Sequence, residues 1–327
     1  MNHRQRMQAC LAGSVVDRPP VALWRHFPVD DQDPSTLAAS VLRFQELYDF
    51  DFIKVTPASS FCLRDYGVTD EWRGNAEGTR DFLSRPIRKP QDWHTLPRII
   101  PEESDLQMQL DCLKQINAGA TADTPFIQTI FDPMSQAKNL VGKENLLVHM
   151  RQHPKDLHAG LGRIMENTIA FIKKCIPLKI DGIFLAVQHA QASLLSKEEL
   201  EEFVLPYDRE ILSHVKDLWL NVIHLHGQNV YFSELSQLSV PMINWHDQET
   251  APDLAEGKLH FSGAVCGGLR QWETLVYGTP ELVIKEAQSA ISSTTGSRFI
   301  LGTGCVLPIT APHANVAAAR KAVEFGD

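Results

Sequence analysis

Short runs rich in Val, Ile, Leu and Phe alternate along the chain with longer stretches in which apolar residues recur every three or four positions. The first pattern is that of strands buried on both faces, the second that of amphipathic helices. Strands are expected at Pro20–Trp24, Phe52–Thr56, Pro125–Phe131, Gly182–Val187, Asn221–His226, Met242–Trp245, Leu259–Ser262 and Phe299–Leu301. Helices are expected at Ser35–Leu47, Ser104–Ile116, Lys155–Cys175, Ser196–Leu218, Pro280–Ile291 and Pro312–Phe325. Ser196 with Glu199 forms the Ser-x-x-Glu signature of a helix start. The stretch from Cys62 to Pro101, rich in Gly, Arg, Asp and Pro, has little helical period and reads as hairpins or excursions that shape a substrate pocket.

Alternating strands and helices favour parallel strands joined by helical crossovers. No repeat, low-complexity tract or linker divides the 327 residues. Eight such strands therefore predict an α/β protein built as a single (β/α)8 TIM barrel over residues 1–327, with its active site at the C-terminal ends of the strands. The rival is an open doubly wound sheet. Its dinucleotide signature is absent, because Gly302-Thr303-Gly304 lacks the third glycine.

Composition narrows the function. The chain is 43% hydrophobic and 22% charged, as expected of a folded water-soluble protein, and 31 basic against 40 acidic residues give a net charge of -9. That balance argues against nucleic acid as a partner. The longest purely apolar run, Ile183–Val187, is far too short to span a membrane. The apolar part of the N-terminal stretch is short and is followed by Asp17-Arg18, which is not the form of a secretion signal. Six scattered cysteines without a Cys-x-x-Cys pair suggest reduced thiols. A cytoplasmic location is the expectation.

The segment Asn221-Val222-Ile223-His224-Leu225-His226-Gly227 ends an apolar strand pattern with two histidines two residues apart. Period two places both rings on one face, at the strand end where barrel sites are built, and two convergent imidazoles there can hold a divalent metal. The same pattern also fits two hydrogen-bonded or solvated histidines. Phe299–Leu301 runs into Gly302-Thr303-Gly304-Cys305, which brings a thiol to the same mouth. Cys305 is either a thiolate ligand or a small buried apolar residue.

Gln188-His189 and His246-Asp247 follow their strands, so His189, His246 and Asp247 are candidates for acid–base work or a fourth ligand. Each also fits a polar loop residue bonded to backbone. Arg25 and His26, after the first strand, are candidates for holding an anion, and Gln188 for contacting substrate. Lys54 follows the period of its strand and is expected to point outward. Cys266-Gly267-Gly268 is expected to lie between a strand and a helix.

Val16-Asp17-Arg18-Pro19-Pro20-Val21, the stretch from Leu194 to Tyr207, and Gly304-Cys305-Val306-Leu307-Pro308 followed by Ala311-Pro312-His313-Ala314-Asn315-Val316 together resemble the uroporphyrinogen decarboxylase superfamily. Within it, the chain looks most like the zinc-dependent methyltransferases that move methyl groups between corrinoids and thiols. The resemblance covers nearly the whole length and implies a (β/α)8 barrel. Two departures set the chain apart from the decarboxylases. Their Arg-Gln-Ala-Gly-Arg run is here Arg25-His26-Phe27-Pro28-Val29, and the strand end of their essential aspartate is here Phe52-Ile53-Lys54-Val55-Thr56-Pro57. Both argue against decarboxylation of a porphyrinogen with many carboxylates.

The methyltransferases carry His-x-Cys and a distant Cys. By resemblance the zinc ligands here are His224, His226 and Cys305, with one cysteine replaced by histidine. Two imidazoles and one thiolate leave Zn2+ with a charge of +1 rather than zero, a stronger Lewis acid. The expected function is zinc-dependent methyl transfer to a thiol or another heteroatom of a small-molecule substrate, with a small thiol or a corrinoid protein as partner. The alternatives are a zinc Lewis-acid lyase or hydrolase, a cofactor-free decarboxylase, and a non-catalytic module that binds a small molecule or a corrinoid protein. Family members are often dimers, so a homodimer is the expectation the resemblance carries.

Overall fold

Because their residues are apolar on both faces, the barrel strands are covered inside and out. The computed structural model describes residues 1–324, and the C-terminal end of the helix expected at Pro312–Phe325 lies outside them. In chain order the strands are β1 (Ile53–Val55), β2 (Asp70–Glu71), β3 (Asp81–Phe82), β4 (Phe126–Phe131), β5 (Gly182–Val187), β6 (Val222–Leu225), β7 (Met242–Trp245), β8 (Ala264–Leu269) and β9 (Phe299–Thr303). Seven of them form one parallel sheet, ordered β1-β4-β5-β6-β7-β8-β9, and every residue in these seven is buried.

The eighth stave is the segment expected at Pro20–Trp24. Its ladder is reduced to a parallel bridge between Val21 and Leu301. Ala22 N–H donates to Leu301 O (3.0 Å) and Leu301 N–H to Pro20 O (2.8 Å) on one side, while Asp51 N–H donates to Val21 O (2.9 Å) on the other. The segment thereby joins the last strand to the first. Pro19 and Pro20 have no N–H to give, which shortens the ladder.

A buried carboxylate compensates at this N-terminal end of the barrel. Asp51 accepts from Val21 N–H (2.8 Å), Arg18 (2.7 Å) and Arg6 (2.6 Å), and its Oδ1 lies 3.1 Å from His3 Nδ1. Burial alone would raise its carboxyl. The hydrogen bonds from His3, Arg18 and Val21 N–H, with the Arg18 charge, outweigh burial and hold it at about 2.

Two expectations are corrected. The strand expected at Leu259–Ser262 is instead the end of the helix Leu254–His260 and the turn after it, because Asp253 accepts from Glu256 N–H and starts a helix there. The strand lies just beyond, as β8, and it contains Cys266-Gly267-Gly268 rather than ending before them. A Cβ on Gly267 would stand 2.2 Å from Asp247 Oδ1, and Gly268 has a φ of +108°, so the glycines answer to crowding within the strand. Ser196–Leu218 is two helices, Lys197–Phe203 and Leu205–Ser213, which meet at Val204 because Pro206 has no N–H to continue the first. The capping box at Ser196 is present.

The irregular stretch after Cys62 contains the antiparallel β2–β3 hairpin. The segment joining these two strands docks on the barrel mouth. Ile309 N–H donates to Ala76 O (2.7 Å), and a Cβ on Gly78 would meet His26 Cβ at 2.5 Å.

Asp51→Ala, which leaves the Arg18 guanidinium without a carboxylate and Arg6 with Asp17 alone, is expected to lower unfolding stability by about 3–5 kcal/mol in a denaturant titration at neutral pH. The folded-state carboxyl lies below its ordinary value of 3.8, so the wild type keeps this contribution above that pH and loses it as pH falls towards about 2. A variant as stable as wild type at pH 7 would contradict the closure described.

Candidate metal centre

Parallel pairing sets His224 of β6 opposite Asn244 of β7, and Asn244 opposite Cys266 of β8. The buried Asn244 amide nitrogen lies 2.9 Å from both Cys266 O and Thr303 O. Carbonyl oxygens only accept, so the NH2 faces them and Oδ1 faces His224 Nδ1, at 2.7 Å. The Nδ1 nitrogen of His224 is therefore the protonated one, and Nε2 carries the lone pair. That Nε2 is buried without a hydrogen-bond partner. The ring is fixed further by stacking on Phe184, with centroids 5.2 Å apart.

Three other donors converge on it. His226 follows the end of β6, held by its N–H to Val187 O (3.0 Å); His246 follows β7; and Cys305 follows β9. The donor atoms of His224, His226, His246 and Cys305 all lie within 4.8 Å of one another. His226 Nδ1 is 3.3 Å from His246 Nε2 and 3.6 Å from Cys305 Sγ. Neighbouring ligands on a tetrahedral Zn2+, with bonds of about 2.0–2.1 Å to nitrogen and 2.3 Å to sulfur, stand about 3.3–3.4 Å (N to N) and about 3.6 Å (N to S) apart. The donor set, and the two spacings made by His226 Nδ1, fit such an ion. The other His246 nitrogen, Nδ1, lies 3.3 Å from Glu249 Oε2, the arrangement that orients a ligating imidazole.

The electrostatics suit lone-pair donors. Burial, together with the neighbouring His226 and His246 rings, keeps His224 well below the ordinary histidine range. Burial, then His246 and Lys138, brings His226 down to about 3. Cys305 is partly exposed as a residue, yet burial of its thiol pushes it up to about 12. In the absence of a cation the thiol is protonated.

His224, His226 and Cys305 form one wall of a cavity at the barrel mouth; His246 stands behind them without lining it. Trp24, Phe131 and Phe184 give it aromatic sides, and Glu77 and Thr79 from the segment between β2 and β3 cover it. His26 and Gln188 line it. His26 is buried with Nδ1 unpartnered, and burial, then Lys54, lowers it to about 3.

The remaining candidates lie elsewhere. Arg25 turns away from the cavity, its guanidinium over Phe27 (5.2 Å) and 3.4 Å from Ile309 O. His189 is buried beyond the end of β5 without lining the cavity, and burial, then Lys138 and Lys143, lowers it to about 4. Asp247 faces β8, where Oδ2 accepts from Gly268 N–H (3.1 Å) and Gln248 (2.8 Å). Burial raises its carboxyl to about 7.

Lys54 corrects the expectation of an outward side chain: it is buried and lines the cavity. Asn244 was not among the sequence candidates. Its signal is an amide within the otherwise apolar Met242-Ile243-Asn244-Trp245 strand, where a buried polar group must find a partner.

A sequence model of the uroporphyrinogen decarboxylase family matches residues 2–325. The chain is 29% identical over 252 residues to the uroporphyrinogen decarboxylase of Rhodococcus jostii, covering 72% of this chain and 68% of that protein. It is 23% identical over 229 residues to the methylated-thiol–coenzyme M methyltransferase of Methanosarcina mazei, covering 70% of this chain and 60% of that protein. In structure it resembles a methyltransferase from Methanosarcina mazei with a TM-score of 0.87 over 99% of this chain and 98% of that one, at 18% identity. The chain belongs to the uroporphyrinogen decarboxylase family, with a TIM-barrel-like fold and methyltransferases among its relatives. Among the described residues no helix is long and apolar enough to cross a membrane.

In metal-free protein carrying 15N-labelled histidine, the ring signals at pH 6 are expected to show His26 and His226 neutral and His224 as the neutral Nδ1–H form. An imidazolium, or an Nε2–H form of His224, would contradict the hydrogen-bond assignment.

Proposed function

We propose that this member of the uroporphyrinogen decarboxylase family is a metal-dependent methyltransferase that transfers a methyl group between a small-molecule donor and a thiol or corrinoid acceptor. His224, His226 and Cys305 would hold Zn2+, and a fourth position would be shared between His246 and a substrate heteroatom. The observation that carries the reading is the unpartnered Nε2 of His224, on a ring held by an amide that cannot turn and clustered with three further donor residues. A Zn2+ ion held there would supply Lewis acidity, lowering the proton affinity of a heteroatom brought to it.

The chain's own residues would do the rest. Moving a methyl group to a thiol breaks the donor–methyl bond, whose electron pair leaves with the donor atom, forms an S–C bond from a sulfur lone pair and releases the thiol proton. His246, backed by Glu249, would accept that proton when it is not itself a ligand. Trp24, Phe131 and Phe184 exclude water around the reacting atoms, and Gln188 and His26 offer polar contacts on the cavity wall. His189, Asp247 and Arg25 lie outside the cavity and would act by shaping its walls. The arrangement is poorly suited to a porphyrinogen, because Lys54 is the one lysine or arginine among the residues lining the cavity.

Protein purified without chelator is expected to carry close to one zinc per chain, and His224→Ala or Cys305→Ala to lose it. Asn244→Leu, which frees the His224 ring, is expected to weaken zinc about 10–100-fold by competition with a chromophoric chelator. Zinc added to the metal-free protein at pH 7 should release about one proton, from the Cys305 thiol, since His224 and His226 are already neutral. Zinc binding without proton release would remove Cys305 from the ligand set.

For the activity itself, a panel of methylated thiols, amines and ethers is incubated with a thiol or with reduced cobalamin. Methyl transfer that requires the acceptor, and that falls at least about 100-fold in His226→Ala, is the expected result. Turnover of a substrate without any acceptor would instead identify a Lewis-acid lyase or hydrolase.

A further inference from the structure

Lys54 is a buried cation that the metal reading leaves without a task. Its side chain leaves β1 and enters the cavity beside the donor cluster. Nζ lies 4.4 Å from the Phe184 ring centroid and 5.7 Å from that of Trp24, and its single polar partner is Thr56 Oγ1 at 3.2 Å. An ammonium has three N–H donors, so two are unmet, and cation–π contacts replace only part of the lost hydration. Among the described residues no carboxylate pairs with it. Glu77 lines the same cavity without forming an ion pair to it, and the nearby Cys305 thiol, protonated in the absence of a cation, supplies no counter-charge. Burial accordingly lowers the lysine to about 7. A lone buried ammonium is retained at a net loss unless something brings it an anion.

The cavity sets what that anion is attached to. Trp24, Phe131, Phe184 and Val306 line it with apolar surface, and His26 adds an unpartnered ring nitrogen on the same wall. Arg25, the anion-holding candidate of the sequence, is turned elsewhere. We propose that Lys54 docks the carboxylate of a small aromatic or similarly apolar acid, so that the substrate class of this cavity is an apolar monocarboxylate whose far end reaches the His224–His226–Cys305 cluster. The proposal rests on the cavity being the substrate site of the preceding subsection. It is independent of whether the cluster holds zinc.

Benzoate and its uncharged counterpart benzamide are the probes, titrated calorimetrically into the wild type, Lys54→Met and Lys54→Arg, each as purified and after chelator treatment. Removing a buried ammonium should not weaken folding, and Lys54→Arg keeps the charge if the methionine variant fails to fold. The expected result is benzoate binding to wild type at least about tenfold tighter than to Lys54→Met, with the arginine variant in between and benzamide unaffected. The ratio should persist in the chelator-treated protein. Equal benzoate affinity in wild type and Lys54→Met, binding lost in every variant on chelation, or no binding to wild type would each overturn the proposal. Failure of the metal reading gives a different signature: no zinc and no effect of chelator, with the Lys54-dependent ratio intact.

Discussion

The hydrogen bond between His224 Nδ1 and Asn244 Oδ1 is the contact on which the candidate site depends. It is short, buried and directed, because the other end of the Asn244 amide is committed to two carbonyl oxygens on the next two staves, β8 and β9. Those commitments follow from barrel register: His224 lies opposite Asn244, and Asn244 opposite Cys266. A slip of one residue in any of these pairings would turn the ring or the amide to the opposite face of the wall. Closure of the barrel therefore fixes the protonated nitrogen of one imidazole, and so leaves its other nitrogen without a partner.

The two ends of the barrel divide the work. At the N-terminal end Asp51 is fully paired, ties the first stave to the rest and carries stability. At the C-terminal end the buried polar atoms are left incomplete: His224 Nε2 and His26 Nδ1 have no partner, and Lys54 has one. Such incompleteness opposes folding and is expected where a ligand completes the bonding. The segment between β2 and β3 brings Glu77 and Thr79 over these groups, a cover that favours strong electrostatic interactions beneath it.

Much of this was legible in the sequence. Apolar runs located the strands because a parallel barrel buries both faces, and His224, His226 and Cys305 could be placed at one mouth because strand ends in this fold converge. The misreadings have local physical causes. The Leu259–Ser262 assignment failed because β8 is built of small residues, Ala264 to Gly268, whose apolar signal is weaker than that of the helix before it. Helices such as Pro133–Val141 and Lys143–Gln152 are adjacent, and Gly142 between them blurs their period. Lys54 was misread because a charged residue in a short strand is ordinarily solvated; only the three-dimensional cavity reveals an interior face to which a cation belongs. Which nitrogen of His224 is free depends on an amide twenty residues away, and no spacing rule encodes that.

Family membership alone does not choose between decarboxylation and methyl transfer, since relatives with both names match this chain. The residues facing the cavity favour the second: a nitrogen–sulfur donor cluster, aromatic walls and a single lysine do not match a polycarboxylate. X-ray absorption at the zinc edge of the as-purified protein tests that account most directly. The account predicts one sulfur at about 2.3 Å and two or three nitrogens at about 2.0–2.1 Å, with the sulfur lost in Cys305→Ala. A shell of nitrogen and oxygen alone in the wild type, or one that Cys305→Ala leaves unchanged, would contradict it.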